Sequence, residues 1–428
     1  MTDRPLTGRA RADRTPHTLA EWRELGGYRA LERALGMASR EVLGRVDDAA
    51  LNGRGGAGFP AAKKWSFMPE RAPGDGPSYM IVNGDEMEPG SYKDRFLMEA
   101  LPHQVIEGAI IASYAVEATE AIILIRDSYR TAIERIGRAI AEARQAGLLG
   151  EDILGSGYSL TMRVHPSAGR YIVGEETALI EALEGKRAVP RQRPPYPAQV
   201  GLHGRPTTVN NTETVACVPS IIEHGPQWFR ALSRTEEGGT KLYPVSGRVR
   251  HPQLIEAPMG TTARELIERC GGVAGDGVLR AFQPGGGATG LLGPDHLDTP
   301  LDFKNAARVG GMLGTGALIV LDGTVCPVGL VARHQRFYAR ESCGWCTPCR
   351  EGLPWASKIL DALEAGTAHP GDIEILHMTV QEGGPRGRSF CDLMGGAMAS
   401  LGSALKLFPD LFEAHLDGGC PYREKGRA

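Results

Sequence analysis

Nowhere in these 428 residues do eighteen apolar residues follow one another. Even Ile106-Glu107-Gly108-Ala109-Ile110-Ile111-Ala112 is short and interrupted by a carboxylate, which argues against a membrane-spanning helix and leaves membrane association to partners. Strong charge of either sign is also lacking. A net charge of -3 gives no footprint for nucleic acid. The segment Met1–Thr18 is rich in arginine but has no apolar core, so it is no secretory signal and reads as a flexible or partner-bound arm. No cysteine occurs before Cys217, and there is no internal repeat. Without an export signal, and with clustered cysteines further on, a reducing cytosol is expected. What remains is an ordinary balance of 42% hydrophobic and 23% charged residues, in a chain long enough for two or three domains. The 57 glycines fall in tight clusters, a pattern that brings backbone close to ligands or turns.

Four of the eight cysteines form one pattern: Cys343, Cys346 and Cys349 at successive three-residue spacings, then the distant Cys391. C-x-x-C-x-x-C plus one remote cysteine is the ligand set of a [4Fe-4S] cluster. Gly344 permits the tight wrap, and Thr347-Pro348 reads as an N-cap and first helical residue, which sets three thiolates around a helix start. Zinc also takes four cysteines, but structural zinc usually draws them as two separated pairs, so the run of three favours the iron cube. Cys217, Cys270, Cys326 and Cys420 lack such company and read as ordinary thiols.

Helical patterning runs from Leu19 to Leu51. Tyr79-Met80-Ile81-Val82 reads as a buried strand, followed by helices at 101–116 and 128–147 with the strand Ala121–Ile125 between them. This alternation argues for an α/β layer sandwich to about residue 235. Short β-like runs, glycine turns and a capped helix beginning Thr261-Thr262 mark a small α+β module from Lys241 to Leu321. From Arg333 the pattern is helical.

Four loops could carry chemistry. Gly53-Arg54-Gly55-Gly56-Ala57-Gly58-Phe59-Pro60 formally contains G-x-G-x-x-G, but a helix-like segment precedes it and no strand leads in, which argues against the dinucleotide fingerprint. An anion-cradling or flavin-approaching loop and a purely structural turn both stay open. Asn83-Gly84-Asp85-Glu86-Met87-Glu88-Pro89-Gly90, with Lys93, Asp94 and Arg95 after it, is either a site or a solvated acidic face. Tyr171-Ile172-Val173-Gly174-Glu175-Glu176 begins a helical run, and Arg193 and Tyr196 downstream offer a phosphate partner and an aromatic plate. Pro206 to Thr214 supplies neutral donors and acceptors suited to a flavin ring or ribityl chain.

Together, in this order, the motifs resemble the flavin- and NADH-binding subunit of respiratory complex I, NADH:quinone oxidoreductase, over about Glu21 to His415. The carriers are Gly53–Phe59, Lys64-Trp65-Ser66, Asp85–Gly90, Tyr171–Leu179, Val209-Asn210-Asn211 and Glu341–Gly352. The resemblance implies a Rossmann-like flavin domain at 19–238, a ubiquitin-like (SLBB-type) domain at 239–330 and a C-terminal helical bundle at 331–428 holding the iron-sulfur cluster. It implies FMN on Gly53, Gly55 and Lys64, with Asn83, Asp85 and Glu86 near the isoalloxazine. Tyr171, Gly174 and Glu175 close one side, and Val209, Asn210, Asn211 and Thr214 surround the ribityl phosphate. For NADH it implies Gly56 and Ala57 at the diphosphate, Phe59, Phe67 and Tyr196 at the adenine, Glu88 at the nicotinamide end and Glu176 at the adenosine ribose. The implied partners are the small and the large iron-sulfur subunits of complex I, in a peripheral arm on the cytoplasmic face of the inner membrane.

The chain departs from the family pattern in places. Arg126-Asp127-Ser128-Tyr129 stands where the family shows Arg-Gly-Glu-Tyr. Arg193 and Tyr196 replace a lysine and a phenylalanine, Thr208 replaces a frequent cysteine, and Asp392 adds a carboxylate beside a cluster ligand. The implied activity needs no protein nucleophile: the cofactors carry the hydride and the protein aligns them. The alternative is a diaphorase component of an NAD-dependent hydrogenase or formate dehydrogenase, which commonly carries an added cysteine-bearing N-terminal domain.

Overall fold

The computed structural model describes residues 3–72, 74–275 and 277–422. Its contacts divide the chain into a first unit of Met1–Met87, Tyr92–Leu242 and Glu256–Gly260, and a second of Glu88–Ser91, Tyr243–Ile255 and Thr261–Ala428.

In the first unit the apolar run at Tyr79 forms β1 (Tyr79–Gly84), joined by β2 (Glu120–Arg126), β3 (Thr161–Ser167) and β4 (Thr207–Asn211). All pairings are parallel and the order is β3-β2-β1-β4. A parallel sheet is covered on both faces, which is why β1 and β2 read as unbroken apolar runs instead of alternating ones. One face packs Tyr79, Ile81, Ile122, Leu124 and Val209 against Leu179 and Ile180 of the helix Glu176–Leu183. The helices Pro102–Ala115 and Thr212–His224 pass so close that a Cβ on Gly108 would lie 2.0 Å from the Val215 carbonyl oxygen. No larger residue fits there.

The expected helical stretch from Leu19 to Leu51 is three helices, Leu19–Glu24, Arg29–Leu35 and Ser39–Asp48. The predicted N-terminal arm needs correction. From residue 3 onward it is laid against this unit: Leu6 is fully buried, the Leu6 and Thr7 amides donate to Glu256, and Arg9 pairs with Glu223 at 3.2 Å. Arg9 and Arg11 find carboxylates and Arg14 lies over the Phe96 ring, so it is not a loose basic tail. Met1 and Thr2, like residues 423–428, lie outside the described residues.

The second unit carries most of a mixed sheet of β5 (Thr240–Gly247), β6 (Gln253–Pro258), β7 (Leu279–Gln283) and β8 (Leu318–Asp322), in the order β6-β5-β8-β7. β5 runs parallel to β8 and β7 antiparallel to it. The helix Ala263–Arg269 starts on a capping box, in which the Thr262 hydroxyl accepts from the Glu265 amide and the Glu265 carboxylate accepts from the Thr262 amide. The helices Pro327–Glu341, Leu353–Ala365, Asp372–Gly383, Leu393–Leu407 and Pro409–Ala414 complete it. No helix among the described residues is long and apolar enough to cross a membrane.

Candidate functional site

In an open α/β sheet, ligands bind beyond the carboxyl ends of the strands. Here β1 delivers Asn83 and Gly84 to that edge, with Asp85 and Glu86 following, and β4 delivers Asn210 and Asn211 beside them. Asn83 is tied across to the 3₁₀ turn Tyr171–Gly174, its Nδ2 donating to the Gly174 carbonyl at 3.1 Å and its Oδ1 accepting from the Asp85 amide at 3.1 Å. Asp85 accepts from the Ser167 hydroxyl at the end of β3. Three strand ends and one turn therefore fix these groups.

The glycine loop lies between the helix Ser39–Asp48 and the helix Ala61–Trp65, as its sequence context indicated, so it is not a strand-to-helix fingerprint. Gly53 donates to the Phe59 carbonyl, closing the loop on itself. A Cβ on Gly55 would come within 3.2 Å of Asn211 Cβ, whereas Gly56, at φ +141°, faces open space, as does Gly174. Arg54, fully buried, anchors the loop: its amide donates to Thr214 Oγ1 at 2.9 Å, and Nη2 donates to the carbonyls of Gly238 at 2.7 Å and Thr240 at 3.2 Å. Sequence reasoning passed over Arg54 in favour of the glycines around it.

Lys64 Nζ sits 2.6 Å from Glu176 Oε2 and 2.7 Å from the Val209 carbonyl. Arg193 stands 3.5 Å from Glu176 and 3.9 Å from Glu175. Lys64, partly buried, and the exposed Arg193 both reach Glu176, two residues beyond Gly174, and a Cβ on Gly56 or Gly174 would meet no atom within 4 Å, so positive charge and unobstructed backbone are both available to an anionic cofactor. Glu175 itself caps the helix Glu176–Leu183, accepting from the Thr177 and Ala178 amides. Phe59 and Phe67 are about half exposed, with ring centroids 6.2 Å apart, and Tyr196 is 55% exposed. These are flat apolar faces presented to solvent, as an adenine plate requires. Asn210, by contrast, is turned inward, where its Oδ1 accepts from Trp65 Nε1 at 2.9 Å. Glu88 falls in the second unit, where its Oε1 accepts from the Ala288 amide at 2.7 Å.

The acidic stretch is not a solvated face. Glu86 accepts from the amides of Lys93, Asp94 and Arg95 and so caps the helix Lys93–Ala100. Lys93 is fully buried, 2.7 Å from Asp94, 3.0 Å from Glu213 and 3.2 Å from Asn211 Oδ1. Lys241 reaches the same Glu213 at 3.2 Å. Burial works against the Glu213 carboxylate, but Lys241, Lys93 and Arg54 outweigh it and hold its pKa below the usual value. The family glutamate replaced in Asp127-Ser128 has no buried counterpart here: Asp127 pairs with the exposed Arg130 at 2.8 Å.

In the second unit the C-x-x-C-x-x-C segment lies between the helices Pro327–Glu341 and Leu353–Ala365. Gly344 has φ +68°, as the wrap demanded. The expected Thr347 cap is absent. Thr347 is already helical and makes no side-chain cap, because Pro348–Gly352 is a wide π turn, a form common at functional sites. Cys349 is buried against Cys346 and Cys391, and Trp345 meets Phe390 edge-on at 6.5 Å, joining the two cysteine segments. Burial and the neighbouring sulfurs push the Cys349 thiol up to about 12. Thiols gathered so closely give up their protons readily only to a cation, which fits an iron cluster. Asp392 is exposed, 4.0 Å from Arg386.

Two of the cysteines set aside as ordinary thiols are not isolated. Cys217 and Cys270 are buried alone, but Cys326 and Cys420 converge with Glu364 and His415.

A family model for the Nuo51 FMN-binding domain matches residues 46–220, one for the SLBB domain residues 242–290, and one for the NADH-ubiquinone oxidoreductase-F iron-sulfur binding region residues 329–415. The chain is 48% identical over 412 residues to the F subunit of NADH-quinone oxidoreductase from Escherichia coli (strain K12), covering 96% of this chain and 92% of that one. It is 48% identical over 399 residues to the protein of the same name from Mycobacterium tuberculosis (strain ATCC 25618 / H37Rv), covering 92% and 89%. Among solved structures, a chain of the NAD+-reducing [NiFe]-hydrogenase in the H2-reduced state is similar at a TM-score of 0.84 and 33% identity, over 97% of this chain and 71% of that one.

Proposed function

Because the chain belongs to the family of the NADH-quinone oxidoreductase F subunit, we propose that it oxidises NADH at the carboxyl ends of β1 and β4 and passes electrons to a [4Fe-4S] cluster on Cys343, Cys346, Cys349 and Cys391. When bound, FMN supplies the conversion between paired electrons from NADH and the single electrons an iron-sulfur cluster takes. The chain's residues position and shield. The amides of Gly55, Gly56 and Ala57 line the approach of phosphate groups, while Gly53 closes the loop through the Phe59 carbonyl. Asn83, Asp85, Tyr171 and Gly174 frame the ring, while Val209, Asn211 and Thr214 hold the polar tail. Lys64 and Arg193, which pair with Glu176 and Glu175, supply positive charge, and Glu176 faces the adenosine ribose. Phe59, Phe67 and Tyr196 offer planes for adenine. Asn210 and Glu86 act one layer back, through Trp65 and the helix Lys93–Ala100.

The observation that carries this reading is the convergence of Lys64 and Arg193 on Glu176 at the start of the helix after Gly174, in a chain that also gathers cysteines in the order the cluster requires. The flavin domain is assigned to 19–238, the SLBB-type domain to 239–330 and the cluster domain to 331–428. The partners assigned are the small and the large iron-sulfur subunits of complex I, in a peripheral arm on the cytoplasmic face of the inner membrane, with quinone reached only in the full complex. Identity of 48% to quinone-linked relatives against 33% to the hydrogenase chain supports that choice over a diaphorase. Anaerobically purified protein should carry yellow FMN and about four irons per chain, and should reduce ferricyanide with NADH. Folded protein that takes up neither flavin nor iron, or that co-purifies with hydrogenase subunits, would contradict the proposal.

A further inference from the structure

Cys326 caps the helix Pro327–Glu341, its sulfur accepting from the Gly329 amide at 3.4 Å. Glu364 lies in the last turn of the helix Leu353–Ala365, His415 follows the helix Pro409–Ala414, and Cys420 lies in the segment beyond. One ligand atom from each lies within 4.8 Å of every other. His415 is fully buried and Cys420 nearly so. We infer that these four residues form a closed zinc site, separate from the iron-sulfur ligands.

Three observations point to a cation. His415 Nδ1 is 2.5 Å from the Leu411 carbonyl, so Nδ1 carries the hydrogen and donates, which leaves the Nε2 lone pair as a ligand. That Nε2 faces Glu364 Oε1 at 3.2 Å and Cys326 Sγ at 3.4 Å. These atoms stand within hydrogen-bonding reach of one another in a largely buried place, so a cation that displaces the thiol hydrogen and any imidazole hydrogen between them finds N, O and S ligands already facing one point. Their spacing also suits one. Tetrahedral zinc with bonds of about 2.0–2.1 Å to N and O and about 2.3 Å to sulfur places N and O about 3.3 Å apart and N and S about 3.6 Å apart.

Two sulfurs, one imidazole and one carboxylate suit zinc and exclude magnesium or calcium, which take oxygen ligands. Four protein ligands leave no open position, so the site is structural, and binding releases the two thiol protons. The backbone is shaped to hold it. The Cys420 amide donates to the Glu364 carbonyl, and a Cβ on Gly419, at φ +92°, would lie 2.9 Å from that same oxygen. Zinc here clamps the C-terminal segment and two helix ends onto the start of the helix that runs directly into Cys343, so it would steady the platform of the iron cluster.

The test uses the full chain, produced in a medium supplied with iron and zinc and purified anaerobically with its iron-sulfur cluster. Metal analysis should find about one zinc beside about four irons per chain, and absorption at the zinc edge should show about two sulfur neighbours near 2.3 Å and two lighter ones near 2.0 Å. The Cys326→Ser/Cys420→Ser double variant and Glu364→Gln should each lower zinc while retaining flavin. Cys391→Ala should lose iron and keep zinc. Wild-type protein with no more zinc than the double variant overturns the inference. So does an edge spectrum with four sulfurs, which places the zinc on the cluster cysteines, or a Cys326–Cys420 disulfide in the purified chain, read as a mass two hydrogens lighter. The edge spectrum is taken on the wild type and does not depend on any variant folding.

Discussion

Lys93 and Lys241 are both fully buried and both reach the Glu213 carboxylate, at 3.0 and 3.2 Å, so judged by that shared carboxylate alone they carry equal weight. Their surroundings do not. Burial lowers the pKa of each. At Lys93 the charges of Asp94, Glu213 and Glu86 outweigh burial and raise it, whereas at Lys241 burial prevails, aided by Lys93 and Arg54, and the pKa falls from 10.5 to about 8. Lys241 is the surplus cation. Lys93→Met takes the cation from both Asp94 and Glu213, a break in a buried network that should cost about 3–5 kcal/mol. For Lys241 the depression amounts to roughly 3 kcal/mol held against its charge. Lys241→Met removes that penalty and leaves Glu213 with Lys93 and the Leu242 amide, so the loss should stay below about 1.5 kcal/mol. Urea unfolding of the two variants with unchanged m-values measures the difference. A pH arm adds a sign. Between about 8 and 10.5 the unfolded Lys241 holds its proton while the folded one has lost it, so wild-type stability should rise with pH relative to Lys241→Met across that window. Equal losses for the two methionine variants, or no pH-dependent gap between wild type and Lys241→Met, would refute the assignment of Lys241 as the surplus charge.

Burial raises Glu107 to about 7 from 4.5, so its contribution to stability is present below about 4.5 and is lost as pH rises through about 7. Glu107→Gln keeps an acceptor for the Leu31 amide and should stabilise the chain by about 1–3 kcal/mol at pH 8 but little at pH 4.5, read from unfolding midpoints at both values. Gly108→Val drives a side chain into the Val215 carbonyl and should leave little folded, flavin-bearing protein, as measured by soluble yield and flavin absorbance. Glu176→Ala should narrow the preference for NADH over NADPH, in kcat/KM, by about tenfold or about 1.4 kcal/mol, since a carboxylate beside the ribose repels a 2′-phosphate. An unchanged ratio in steady-state assays would leave Glu176 only as a partner of Lys64 and Arg193.

Strands at Tyr79 and Ala121 were legible because a sheet covered on both faces demands unbroken apolar runs, and the cluster cysteines because their ligand spacing is local in sequence. What escaped depends on partners far along the chain. Nothing near Lys93 announces Glu213, and a dense run of charge reads as solvated until its partners are known to be buried beside it. Cys326 and Cys420 looked solitary for the same reason, each lacking a neighbouring ligand in sequence. The Thr347 cap failed on local grounds instead: the chain is already helical there, and the wide turn at Pro348–Gly352 takes the place of a capped start. The arginines of the N-terminal segment signalled an arm only until Glu256 and Glu223 were found holding it down.

Arg54 stands among four glycines, residues that ordinarily confer the greatest backbone freedom, yet its guanidinium is bonded to two carbonyls and its amide to Thr214. The loop is therefore stiff before any ligand arrives. A phosphate meeting it finds amides already oriented, with little ordering entropy left to lose, so affinity should show mainly as slow departure. The same stiffness denies the loop a role as a hinged lid: access to the site has to be regulated by elements other than the one richest in glycine.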